Sequence, residues 1–199
     1  YTLTPEQDIT LCALFEGDVF IDLPANAWYL EDVLQAEAMD LVSGMSEAFF
    51  EPAGTMNRAM FATLLYQVEG APASETTGPF ADVSPNAWYA NAVNWAYDNG
   101  VVHGMSDTEF APLSNVTREQ AATMMVQYLE QQGITSSAQE PEFTDEGDIS
   151  EYARQTLAQA QDLGLVTGYE DGSIRPKNTL TRAEGVALLM NLLDCLGAA

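Results

Sequence analysis

Three arginines, Arg58, Arg118 and Arg182, each stand at the start of an apolar helical stretch. Their settings are Thr55-Met56-Asn57-Arg58-Ala59-Met60, Asn115-Val116-Thr117-Arg118-Glu119-Gln120 and Thr179-Leu180-Thr181-Arg182-Ala183-Glu184. The chain holds 6 Lys and Arg against 30 Asp and Glu, so half of its cations occupy one recurring position. A cation there opposes the partial positive charge of the first helical turn, which prefers Asp or Glu. The chemistry this suggests is anion binding between guanidinium and helix terminus. A carboxylate suits it best, because the planar fork of Arg offers two parallel hydrogen bonds. The competing use is an ion pair with Asp22, Asp82 or Asp145 that ties one part of the chain to another.

The residues before the arginines prepare the same termini. Thr117 and Thr181 can accept from backbone N–H groups two or three residues on while Gln120 and Glu184 reach back, which predicts rigid capping boxes. Asn57 can cap, but Met60 cannot reciprocate, so the Arg58 site is expected to be the weakest of the three.

These segments belong to a repeat. Phe20, Asp22, Trp28, Gly44, Phe50, Pro52 and Arg58 recur 60 positions later as Phe80, Asp82, Trp88, Gly104, Phe110, Pro112 and Arg118. A third copy starts at Phe143 and Asp145 and continues with Gly164, Gly168, Ile174, Pro176 and Arg182, with Tyr152 at the Trp position. Each copy predicts two helices. The first spans about 26–41, 86–99 and 150–163, with Gly100 and Gly164 placed for a left-handed closing turn. The second follows each Arg, and Leu188, Leu189, Leu192, Leu193 and Leu196, matched by Met124, Met125, Tyr128 and Leu129, mark its core face. Between them, Phe50, Phe110 and Ile174 are expected to pin the loops inward. Residues 71–79 and 133–142 have linker composition. Residues 4–16 read as a further helix, resembling the second half of a repeat that has Pro5 where Arg would stand, and are expected to complete or cap the helical core.

The pattern Phe-x-Asp, Trp-Tyr-Ala, Gly-x-x-x-Gly, an acidic turn, Phe-x-Pro and Thr-Arg-Ala-Glu resembles the S-layer homology domain, in three copies. Residues 80–132 match best, 143–197 match well after Tyr152, and 20–70 depart most, with Asn57 for Thr and Met60 for Glu or Gln. The resemblance implies a mainly α, pseudo-threefold arrangement of three helix-loop-helix repeats around a central helical bundle, within one domain spanning 1–199. It also implies an extracellular module that holds exported proteins on a bacterial cell surface by binding a wall polysaccharide, often one with pyruvylated N-acetylmannosamine. The glycan-binding candidates are Arg118, Arg182, Arg58, Thr117, Thr181, Trp88, Trp28, Asp82, Asp22 and Asp145. Trp28 and Trp88 offer flat faces for a sugar, although large aromatics at a helix start more commonly enter the core. The aspartates have a second use, capping and fixing the preceding loop.

Composition narrows the alternatives. A net charge of −24 argues against nucleic acid and anionic membranes, which require a basic footprint. With 47% hydrophobic residues the chain can still bury a core. No apolar run suggests a membrane span. Starting at Tyr1 and showing no signal peptide, the chain is expected to be a mature form or an excised piece. Cys12 and Cys195 form one disulfide at most and read as buried free thiols or a bridge between chain ends. No cofactor, catalytic residue or metal site is expected, and His103, at the position of Ser43 and Thr167, reads as part of an exposed polar wall. A glycosidase needs only two close carboxylates, which 30 acids supply by chance, so that reading ranks below anchoring. A protein-binding or self-assembly module that has lost its glycan is the other alternative.

Overall fold

The structure is a computed structural model that describes residues 20–73 and 77–197. It is mainly α-helical: α1 (Leu30–Ala38), α2 (Arg58–Val68), α3 (Ala90–Asp98), α4 (Arg118–Gln131), α5 (Arg154–Asp162) and α6 (Arg182–Leu196). Among the described residues there is no extended strand, only isolated bridges. The segment 4–16 lies outside the described residues.

The second helices begin where their sequence places them. Asn57, Thr117 and Thr181 take extended backbone and accept through their side chains from the N–H of Met60, Gln120 and Glu184, and the last two sites form reciprocal capping boxes. The first helices start about four residues later than the sequence predicts. Tight turns intervene, Ala27 N–H donating to Pro24 O at 2.9 Å and Ala87 N–H to Ser84 O at 2.9 Å. These hold Trp28 and Trp88 just ahead of the helices rather than inside them. Gly100 and Gly164 close α3 and α5 at φ 68° and 73°, the left-handed region where a Cβ is penalised.

Each second helix packs on the first helix of the following copy, α2 on α3 and α4 on α5, and α6 returns to α1. The helices α2, α4 and α6 also meet one another, around fully buried Leu65, Met125, Leu129, Leu189 and Leu192. Backbone hydrogen bonds follow the same cyclic order just ahead of these helices. Met56 N–H donates to Leu180 O, Leu180 N–H to Val116 O and Val116 N–H to Met56 O, at 2.9–3.0 Å. The last copy therefore contacts the first as directly as consecutive copies contact each other.

The aspartates fix loops, but not the preceding ones. Asp22 accepts from the N–H groups of Phe50 and Glu51 at 2.9 and 2.7 Å, Asp82 from Phe110 and Ala111 at 2.9 and 2.7 Å, and Asp145 from Ile174 and Arg175, both at 2.8 Å. Each reaches the loop between the two helices of its own copy, 28 to 30 residues further on. That loop needs fixing because Glu51, Ala111 and Arg175 sit at φ 60°, 57° and 53°, a strained region for residues with a Cβ. Phe50, Phe110 and Ile174, immediately before them, are fully buried and pin the loops as expected. Gly104 serves close approach, since a Cβ there would meet the Phe80 ring at 2.6 Å.

Phe110→Ala should empty the centre of one loop and cost about 3–5 kcal/mol, the usual range for a buried aromatic. Urea unfolding followed by far-ultraviolet circular dichroism measures it.

Candidate functional site

The three arginines are buried, with 3%, 9% and 8% of Arg58, Arg118 and Arg182 exposed. None reaches Asp22, Asp82 or Asp145 directly. Arg58 Nε donates to Phe110 O at 2.9 Å, Arg118 Nε to Ile174 O at 2.9 Å and Arg182 Nε to Phe50 O at 2.8 Å. Every arginine thus grips the loop of the next copy in cyclic order. Arg58 Nη2 adds a bond to His103 O at 3.1 Å and Arg182 Nη2 one to Ser43 O at 2.8 Å. That explains why the side chain varies at these positions, since the backbone carbonyl is the part used. The guanidinium carbons lie 4.5 Å from the Phe110 ring centre and 4.4 Å from that of Phe50, within cation–π range.

The carbonyl that receives each arginine and the N–H that the aspartate receives belong to one peptide unit. Ala111 N–H donates to Asp82 while Phe110 C=O accepts from Arg58. The units Ile174–Arg175 and Phe50–Glu51 repeat this between Asp145 and Arg118 and between Asp22 and Arg182. The ion pair between Arg and Asp considered from the sequence does not form; the two charges instead grip opposite ends of one polarised peptide.

The charge is left incompletely matched. Among the described residues, no carboxylate lies within 4.0 Å of Arg58 or Arg182, and neither Nη1 has a protein partner. Burial pushes both guanidinium pKa values down, opposed by Asp82 near Arg58 and by Glu51 and Asp22 near Arg182. No fully buried side-chain polar atom lacks a partner among the described residues, so these unbonded edges reach solvent.

These two arginines and Arg118 each line a groove. Groove A, about 900 Å³, is lined by Arg182, Ser43, Met60, Leu113 and Trp88. Groove B, about 350 Å³, has Arg58, His103, Gln120, Met105 and Tyr152. Groove C, about 220 Å³, has Arg118, Tyr169, Glu184, Asn191 and Trp28. Every groove combines the arginine of one copy, the loop and cap of the next, and the aromatic of the third. The incomplete Asn57–Met60 cap therefore borders Arg182, while the capping box of Thr117 and Gln120 borders Arg58. The cap-based reason for placing Arg58 last does not hold, although Arg58 is the least accessible of the three.

Trp28 and Trp88 are 65% and 63% exposed, so they are not core residues. Tyr152, 57% exposed, takes the third aromatic position. Its hydroxyl donates to Glu119 at 3.2 Å, and burial together with that carboxylate pushes its pKa up. Glu119, 3% exposed, also accepts from Ser150 N–H at 3.0 Å and pairs with Lys177 Nζ at 2.6 Å. Sequence reasoning missed this clasp between the second and third copies; the available signal was an acid where the other copies have Ala59 and Ala183. Tyr169, also missed, lies between Arg118 and Arg175, 4.9 and 3.9 Å from their guanidinium carbons. Cys195 is half-buried with a free thiol, whereas Cys12 lies outside the described residues.

Asp82→Asn and Arg58→Met should be coupled although the residues do not touch. A double-mutant cycle by urea denaturation is expected to return about 0.5–3 kcal/mol of interaction energy, the range for members of one hydrogen-bond network. Simple additivity would mean that the shared peptide transmits nothing.

Known proteins share parts of this sequence. The sequence profile of the S-layer homology domain matches residues 79–122 and 142–184. An amylopullulanase of Thermoanaerobacterium thermosulfurigenes is 33% identical over 93% of this chain and 10% of its own length. A surface-layer 125 kDa protein of Lysinibacillus sphaericus is 28% identical over 79% of this chain and 13% of its own. A cellulosome-anchoring protein of Acetivibrio thermocellus is 26% identical over 82% and 38% respectively. The chain thus spans well under half the length of these relatives. The family and the surface-layer relatives place it at a bacterial cell surface, and among the described residues no helix is long and apolar enough to cross a membrane. Residues 79–122 and 142–184 thus each match the S-layer homology domain.

Proposed function

We propose that the chain is a non-catalytic anchoring module that binds an anionic cell-wall polysaccharide in the grooves between its copies, and that residues 20–70 are a third, diverged S-layer homology repeat of a pseudo-threefold domain. The observation that carries this is the pair of buried guanidiniums, Arg58 and Arg182, with no carboxylate partner among the described residues, in a chain of net charge −24. A buried cation is stabilised by a hydrogen-bonded anion, and the exposed indole or phenol at each groove supplies a face for a sugar ring. A pyruvate ketal on a sugar provides both chemistries. The third repeat is supported by Asp22, Phe50 and Arg182 repeating the bonds made by Asp82, Phe110 and Arg58. Thr117 and Thr181 hold the groove walls through their caps, and the aspartates act through the loops. Groove A, the widest and containing the open edge of Arg182, is the principal site.

The relatives named as an amylopullulanase and an endoglucanase are matched over only 10% and 18% of their own length, so their names carry no activity to this chain. A protein partner is the second reading, favoured by Met45, Met56 and Met60 lining groove A.

Because Trp88 is exposed while the arginines hold copies together, Trp88→Ala tests binding without testing folding. Affinity for purified wall sacculi is expected to fall about 5- to 150-fold, a stacking loss of roughly 1–3 kcal/mol as for aromatic platforms elsewhere, with the melting temperature unchanged. Walls stripped of their secondary polymer should retain neither protein, and equal retention on stripped walls would favour the protein-partner reading. Association should not slow as salt rises from about 0.01 to 0.1 M, because screening first removes the long-range repulsion between an acidic ligand and an acidic protein. Surface-binding kinetics read this directly.

A further inference from the structure

Trp28 and Trp88 are each braced by the ring that follows them in sequence. Tyr29 and Tyr89 stand edge-on to them, with 5.3 and 5.2 Å between ring centres and 83° and 85° between planes. The third copy has no such brace, because buried Ala153 follows Tyr152. A half-exposed ring beside a groove can change rotamer unless something else holds it, and ordering it then counts against any ligand that packs on it.

What holds Tyr152 comes from another copy. Its hydroxyl donates to Glu119 Oε1 at 3.2 Å, and Glu119 is a fixed point. It sits in the first turn of α4, where a carboxylate suits the helix terminus, and its own N–H donates to Pro176 O at 3.1 Å. Its carboxylate also accepts from Ser150 N–H at 3.0 Å, from Ser150 Oγ at 2.8 Å and from Lys177 Nζ at 2.6 Å. The other second helices have Ala59 and Ala183 at this position. They pack on the copies whose tryptophans are braced, whereas α4 packs on the copy whose aromatic is not.

A phenol has one proton to donate, and here it is turned to Glu119. Groove B is therefore offered the ring, beside Arg58, which lies close enough to act electrostatically on the phenol.

We infer that Glu119 is a positioning residue of groove B, which need not meet the ligand but locks the Tyr152 ring as the platform for a sugar unit whose anion pairs with Arg58. This rests on the glycan-binding reading above.

Met105 and Met124 line groove B, and Met45 and Met60 line groove A, so the resonances of labelled methionine methyls report the two grooves separately. The probe is the methyl glycoside of pyruvylated N-acetylmannosamine, titrated into the whole chain. Tyr152→Phe keeps the ring and removes the tie. Affinity at groove B should then fall about 2- to 12-fold, the cost of immobilising one side chain on binding, with groove A and the melting temperature unchanged. Glu119→Ala, the residue already found in the other copies, should show the same loss together with a lower melting temperature. The two changes combined should lose no more at groove B than Glu119→Ala alone. Lys177→Met takes the cation out of the clasp and leaves the tie, so it should lower the melting temperature while groove B keeps its affinity.

Unchanged affinity at groove B in Tyr152→Phe would overturn the inference. Additive losses in the double variant would do so too, since the hydroxyl would then meet the sugar itself, as would a Lys177→Met loss equal to that of Glu119→Ala, which would make Glu119 a clasp alone. Wild-type shifts at Met45 and Met60 with Met105 and Met124 silent would also overturn it and leave the glycan-binding reading standing. Silence of all four methyls would overturn both.

Discussion

One peptide unit in each loop carries the architecture. Its N–H is held by an aspartate of its own copy and its C=O by an arginine of the preceding copy in cyclic order, so local loop shape and contact between copies are set by one polarised group. Neither partner suffices alone. Without the aspartate, the strained residue at Glu51, Ala111 or Arg175 would lose the bond that holds its backbone. Without the arginine, a carbonyl beside a fully buried ring would have no donor. The cation is tolerated inside because carbonyls and an aromatic face replace part of its hydration, and what they do not replace is turned toward a groove.

Much of this was legible in the residues. The periodic apolar faces of α4 and α6 located the core, because burial selects for residues three and four apart whatever the tertiary arrangement. Caps were equally readable, since a Thr accepting from the N–H three residues on is local chemistry that needs no knowledge of neighbours. Phe50, Phe110 and Ile174 could be placed inside from their recurrence in otherwise polar loops.

Other features depended on distance through space and were read wrongly or missed. The tryptophans looked like core because they are large and stand near a helix start, but turns anchored at Pro24 and Ser84 hold them outside. The aspartates' targets lie 28 to 30 residues away, in loops whose positive φ values no residue type announced: Glu, Ala and Arg occupy those positions. Groove membership was invisible for the same reason. A sequence gives neighbours along the chain, whereas every groove takes its parts from all three copies.

That interleaving bears on how such a chain can change over generations. Duplicated units usually diverge one at a time, each degrading or refining its own site. Here substitutions in a single copy are distributed: the first copy gives Asn57 and Met60 to groove A, Arg58 to groove B and Trp28 to groove C. Drift across one repeat therefore reaches all three grooves, whereas a single substitution at Met60, Gln120 or Glu184 reaches one. A lone copy placed elsewhere would therefore carry an arginine, a cap and an aromatic that here face three different grooves.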